Sequence, residues 1–251
     1  MKELFALIGA ELKRLYRDPM LLAVLLAMPI GLTLVFYFAM GNLYQDPMRP
    51  EMSHFEFLVP GAMGYAVIYM GMMVALVLCE YREAGLLKRL NTTPTSPTIY
   101  LGSLVIFNMM MAVVQGLIVL GVSKLLGYEA QVTVLSIVII AVFLGILAVV
   151  AVGFGLLTAT VAKNAGAASG LSIIYILPMM VFGSFLAVFD EATYKIARFT
   201  PNFYTTDTFM RIFYGTPLTE WVIWKNLLIL LAIAVIVVFA GIQLFKRTEF
   251  R

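Results

Sequence analysis

The chain has 251 residues, 62% of them hydrophobic and 12% charged, with a formal net charge of +3. A soluble domain carries about 25% charged residues, so this composition excludes a protein whose main solvent is water. The single cysteine, Cys79, excludes an internal disulfide and reads as a small hydrophobe.

Six stretches free of Asp, Glu, Lys and Arg reach the ~20 residues that a helix needs to cross a bilayer. They are 21–40, 58–79, 98–122, 132–157, 168–189 and 226–245, and all 17 Lys and Arg and all 14 Asp and Glu fall outside them. A charge placed mid-membrane costs roughly 2.5–3.5 kcal/mol on insertion scales, which accounts for the exclusion. Backbone in lipid must satisfy its own hydrogen bonds, and these runs are too long for barrel strands. The expected fold is all-α: one polytopic transmembrane domain over residues 1–251 with six membrane helices.

Before the first span, "ELFALIGAELKRLYR" sets Phe5, Ile8, Leu12 and Leu15 at helical spacing, with Lys13, Arg14 and Arg17 off that stripe. This predicts an amphipathic helix within residues 1–19, lying in the membrane interface. Asp18-Pro19 reads as a cap and first-position proline opening the first span. A polar start followed by an overlong apolar run is not the pattern of a cleavable signal peptide. The first loop contains the single histidine, His54, near Asp46, Glu51 and Glu56. Without a convergent partner set it reads as a solvated side chain.

The segment 80–97, "EYREAGLLKRLNTTPTSP", is dense in charge between two apolar runs. Residues 80–91 read as a helix with Ala84, Leu86, Leu87 and Leu90 on one face and Arg82, Lys88 and Arg89 on the remainder. Glu83 interrupts the apolar face, and Gly85 weakens the helix. Pro94 then stops it, and Ser96-Pro97 is a cap with first-position proline for the third span. Further on, Gly166 and Gly170 have the GxxxG spacing that permits close helix approach. Residues 190–225 carry short helical patterns in "EATYKIARF" and "TDTFMRIF", a possible helix start at Thr216-Pro217, and interfacial Trp221 and Trp224. No repeat is evident at any common solenoid period.

With the amino terminus inside, eleven basic residues fall on the inner side and six on the outer. The positive-inside rule therefore predicts that both termini are cytoplasmic. In that orientation Asn91-Thr92-Thr93, a glycosylation acceptor by pattern, lies inside.

Residues 57–103, "FLVPGAMGYAVIYMGMMVALVLCEYREAGLLKRLNTTPTSPTIYLGS", resemble the permease subunits of the ABC-2 family of ATP-binding-cassette transporters. The resemblance lies in Pro60-Gly61 and in an E-x-G-x-L-x-x-L-x-x-T-P stretch matched by Glu83, Gly85, Leu87, Leu90, Thr93 and Pro94. "ILPMMVFGSFLAVFD" and "TPNFYTTDTFMRIFYG" are similar to the family's fifth span and outer re-entrant region. "ELKRLYRDPMLLAVLLAMPI" is similar to its connecting helix and first span. The likeness is nearer to exporters of the daunorubicin-resistance type than to polysaccharide exporters. Many members have Thr directly after the glycine, where this chain has Leu86.

The resemblance implies a cell-membrane transport subunit, itself non-catalytic, working as a pair of permeases with two copies of a separate nucleotide-binding subunit. That subunit would hold ATP and Mg; this chain has no G-x-x-x-x-G-K-[ST] phosphate loop, and no cofactor or nucleic acid is expected on it. Segment 80–97 would be the cytoplasmic coupling segment. Its apolar docking residues would be Leu86, Leu87 and Leu90, with register set by Glu83, Lys88 and Arg89. The substrate path would run between the second and fifth spans, along Tyr65, Tyr69, Met72 and Met73 and Met179, Phe182 and Phe185. Sixteen methionines suit an adaptable lining for lipophilic cargo. Export of a polysaccharide or lipid-linked glycan, or a non-transport scaffold, are the competing expectations. An intramembrane enzyme or ion-coupled carrier is disfavoured, because away from the span ends only Asn108 and Gln115 offer strongly hydrogen-bonding amides, and there is no carboxylate or histidine.

Overall fold

The computed structural model describes residues 2–40, 54–90, 96–185 and 191–249, among which there is no strand. Asp46, Glu51, Asn91-Thr92-Thr93 and Pro94 lie outside the described residues. So do the side chains of His54, Lys88, Leu90 and Phe185.

Helix α1 (Lys2–Arg17) is followed by α2 (Pro19–Val35), which continues as wider, π-type turns over Phe36–Met40. Asp18 stands at the junction, ahead of the proline that opens α2. Ile8 and Leu15 bury their side chains while Phe5 and Leu12 stay exposed, so the predicted stripe is split between protein and surroundings. The protein side of α1 packs on α5 (Pro97–Leu125). Ser96 caps α5 by accepting from the Ile99 N–H at 3.3 Å, with Pro97 in the first turn, as its sequence requires.

The six long apolar helices run over Leu22–Ala39, Phe55–Glu83, Pro97–Leu125, Val134–Val161, Ala165–Gly183 and Trp221–Glu249. They correspond to the six expected spans, and the second, third and sixth run on into charged residues, where long basic side chains can lie along the helix and keep their heads at the interface. The second of them, α3 (His54–Glu83), and the last, α10 (Trp221–Glu249), flank α6 (Val134–Val161), which packs against both. A Cβ on Gly155 of α6 would lie 2.5 Å from the Gly71 carbonyl oxygen of α3. One on Gly241 of α10 would lie 2.8 Å from the Gly153 carbonyl oxygen of α6. Gly153 and Gly155 are about 200° apart around the helix axis, so each faces a different neighbour. Small residues at these crossings admit backbone-to-backbone packing. By contrast, Gly170 has nothing within 4 Å, so the Gly166/Gly170 spacing marks no helix contact within the chain.

The two amides away from the span ends both donate to backbone. Pro29 has no N–H, which leaves the Leu25 carbonyl of α2 without its helical donor, and Gln115 Nε2 supplies one at 3.2 Å. Asn108 Nδ2 donates to the Leu104 carbonyl at 2.8 Å in its own helix.

After the fifth span, α7 (Ala165–Met180), wider turns over Val181–Phe185 lead to α8 (Glu191–Ala197) and α9 (Pro201–Phe213). Helix α9 packs into the bundle. Its Phe203, Thr205, Thr208, Phe209 and Phe213 are buried, and it packs against α3, α6, α7 and α10. Phe209 meets Phe143, edge to face at 6.2 Å between ring centres. Phe143 lies ~14 Å along α6 from its start, so α9 dips well into the bundle. Thr216-Pro217 opens no helix: a turn follows it and α10 begins at Trp221.

Gly155→Leu should separate α3 from α6 and destabilise the protein by about 1–3 kcal/mol or more. Gly170→Ala should leave stability unchanged or raise it by up to about 1 kcal/mol, glycine's penalty in a helix. Unfolding in mixed micelles measures both.

Candidate functional site

The loop between the second and third spans sits at the end of the bundle that carries Arg14, Arg82, Arg89, Lys163 and Lys246, here called the basic end. Successive residues on a helix project about 100° apart, and the last turn of α3 uses this to reach four other helices. Tyr81 receives a hydrogen bond on its hydroxyl from the Arg14 guanidinium of α1, which also lies 5.2 Å from the Tyr81 ring centre. Arg82 donates to the carbonyls of Ala159 and Ala162 at the end of α6, the latter at 2.6 Å. It also pairs with Glu249 of α10 at 2.7 Å. Glu83 accepts from the Ala165 N–H at the start of α7, at 3.3 Å. Lys246 of α10 reaches the Thr98 hydroxyl of α5 at 2.9 Å.

These choices follow from helix ends. The last carbonyls of a helix lack intrahelical donors and carry partial negative charge, and the first N–H groups are the converse. Arg82 answers one end and Glu83 the other. Asn164 caps the same start of α7, accepting from the Ala167 N–H at 2.7 Å.

Beyond Glu83 the chain turns. Gly85 takes φ +70°, a left-handed conformation open to glycine, and the Gly85 N–H closes on the Arg82 carbonyl at 3.0 Å. The expected continuous helix over 80–91 is therefore two pieces: the tail of α3 and a separate short helix, α4 (Leu86–Leu90). Leu87 is buried, in one apolar cluster with Leu78, Cys79, Tyr100, Leu101 and Leu104, so it anchors α4 to the bundle. Leu86 is 42% exposed, and Arg89 is exposed as well. Of the expected docking residues, Leu86 and Arg89 are presented outward, whereas Leu87 and Glu83 touch the chain itself.

The expected path residues stand on α3 and on α7 with its wider turns, which pack together. The Ser169 hydroxyl of α7 lies 3.9 Å from the Met72 sulfur of α3. Tyr65, Tyr69, Met72 and Met73 are half-buried, and Met179 is buried. Phe182 packs with Ala197 and Phe203 of the segment before and within α9. At the far end of the bundle, Asp207 of α9 accepts from Arg211 at 2.9 Å and from Asn226 of α10 at 2.8 Å, tying the dipping helix to the last span. Among the described residues no cluster of three or more His, Cys, Asp or Glu could hold a metal ion.

The sequence places Arg82 on the polar side of the 80–91 helix without its intrachain role, and Tyr81 and Glu249 are not singled out by it. An arginine directly after an apolar run, next to a glutamate, was the available signal, but its partners lie about eighty and more residues away.

In α1, burial outweighs the nearby Arg14 and raises the Glu11 carboxyl above its ordinary 4.5. The folded state then holds that proton more tightly than the unfolded state. The associated stability is complete below pH 4.5 and is lost as pH rises through the raised folded value. Glu11→Gln should flatten this slope in a pH series of thermal unfolding and raise stability at neutral pH.

The family described as ABC-2 type transporter matches residues 2–214. No curated protein matches the chain. The chain belongs to the ABC-2 type transporter family and is a multi-pass membrane subunit of an ABC transporter.

Proposed function

Starting from membership of the ABC-2 type transporter family, we propose that this chain is the permease of an exporter. It moves a lipophilic molecule, drug-like or lipid, outward, while a separate ATP-binding subunit in two copies binds ATP and Mg and hydrolyses the nucleotide. Two copies of the permease face each other. The basic end is cytoplasmic, consistent with its surplus of Lys and Arg, and both termini lie there.

The observation that carries the reading is α4. It is a short helix pinned to the bundle by Leu87, presenting Leu86 and Arg89 outward at the basic end. An exposed leucine among basic side chains suits a soluble partner with an apolar pocket rimmed by carboxylates. By sequence Leu90 falls on the side of Leu86 and Lys88 on the basic side with Arg89, and Glu83 fixes the segment's root on α7. The apolar and methionine-rich character of Tyr65, Tyr69, Met72, Met73, Met179, Phe182 and Phe185 supports a lipophilic cargo over a glycan, which would need hydrogen-bonding groups along its route.

Leu86→Asp and Leu87→Ala separate docking from stability. Leu86→Asp should leave the purified permease as stable as the unmodified chain but abolish co-purification of the ATP-binding subunit. Leu87→Ala should cost about 2–5 kcal/mol of stability, as buried leucines do. Retained co-purification and undiminished permease-stimulated ATP hydrolysis in Leu86→Asp would contradict the docking role.

A further inference from the structure

Arg82 is where three membrane helices meet. It is carried by α3, it donates to the Ala159 and Ala162 carbonyls at the end of α6, and it pairs with Glu249 at the end of α10. A guanidinium is a planar fork of five donors with no rotatable head, so groups bound to it are held in fixed mutual positions. The carbonyls it takes belong to the set that α6 itself leaves without donors, and its charge complements the negative end of that helix. The adjacent residue does the opposite for the next span: Glu83 accepts from Ala165 at the positive start of α7.

The position of this turn in the chain matters as much as its bonds. Gly85, in its left-handed conformation, lies three residues after Arg82 and directly before α4. Anything that displaces α4 pulls on the turn holding Arg82. The arginine side chain is largely enclosed, 23% exposed, and Glu249 is 10% exposed, so water competes weakly for their bond. Gly71 against Gly155 and Gly153 against Gly241 already set α3, α6 and α10 backbone to backbone deeper in the bundle. The ion pair closes the same three helices at their ends.

We propose that Arg82, with Glu249, is a coupling clamp: it makes the ends of the fourth and sixth spans follow the second span when α4 is displaced. Arg82 acts as a positioning residue, touching neither nucleotide nor cargo. The inference rests on the docking reading of α4, and the test keeps the two apart.

The probe is a hydrophilic maleimide, applied to the complex of permease and ATP-binding subunit in lipid nanodiscs. Single cysteines are placed by Leu86→Cys, on α4, or by Lys163→Cys, one residue past the Ala162 carbonyl. Both native side chains are exposed and Cys79 is buried. Labelling rates are compared between the nucleotide-free and vanadate-trapped states. In the otherwise unmodified chain both positions should respond to nucleotide. In Arg82→Gln the response at 86 should persist and that at 163 should be lost; Glu249→Gln should weaken it, and Arg82→Lys should restore part of it. A structural staple without a coupling role would leave the response at 163 intact in every variant that assembles, and that result overturns the clamp. So does a response at 86 with none at 163 in the unmodified chain. If Arg82→Gln does not assemble, an unaltered response at 163 in both Glu249→Gln and Arg82→Lys is equally decisive against it. Leu86→Cys with Arg82 intact is first checked for co-purification with the ATP-binding subunit. Where it assembles, absence of any response at 86 overturns the docking reading, and the clamp with it; where it does not, the response at 163 alone, lost in Arg82→Gln or retained, decides the clamp.

Discussion

A guanidinium at the mouth of an apolar helix has to find acceptors, and the way Arg82 finds them organises one whole end of this molecule. Its acceptors are backbone carbonyls of α6 and a carboxylate of α10. Tyr81 and Glu83, on either side, reach α1 and α7. One helical turn thus touches the amphipathic amino-terminal helix and three other spans. Displacing one of these helix ends strains its bonds to the others, and the proposed clamp rests on that geometry.

The interior makes the same point by different means. Helices in lipid gain no hydrophobic advantage from meeting each other, so they associate through close packing and a few hydrogen bonds. Here the close packing is concentrated on α6, which has one glycine against α3 and another against α10. The hydrogen bonds repair backbone: Gln115 serves the carbonyl stripped by Pro29, and Asn108 serves its own helix. Both of these amides stand on α5, and the proposed cargo surfaces of α3 and α7 are built from aromatic and methionine side chains.

What was legible in the sequence is what local chemistry decides. Charge avoidance marked all six spans, because a buried charge is costly wherever it sits. Ser96-Pro97 and Asp18-Pro19 announced helix starts, because caps act within one turn. The segment 80–91 was legible as helical but not as broken: Gly85 signals weakness in any helix, and only the fold decides that it turns left-handed. Thr216-Pro217 carries the same local signal as Ser96-Pro97 yet opens nothing, since the chain there must turn back to reach α10. The Gly166/Gly170 pair looked like a contact and is not one, whereas Gly71, Gly153, Gly155 and Gly241 meet across three helices and leave no fixed spacing to find. The partners of Arg82 were invisible for the same reason, and so was the inward side of Leu87, on a segment whose amphipathic pattern suited a free surface.

Under the proposed function, force from a nucleotide-hydrolysing subunit enters the membrane domain at the exposed side of α4. The most direct measurement replaces Leu86 with a photo-crosslinking amino acid and identifies its adducts in membranes containing the assembled transporter. The expected result is an adduct to the ATP-binding subunit, formed from the cytoplasmic side and changing in yield with nucleotide. Adducts to lipid alone, or labelling of that position from outside the cell, would contradict it.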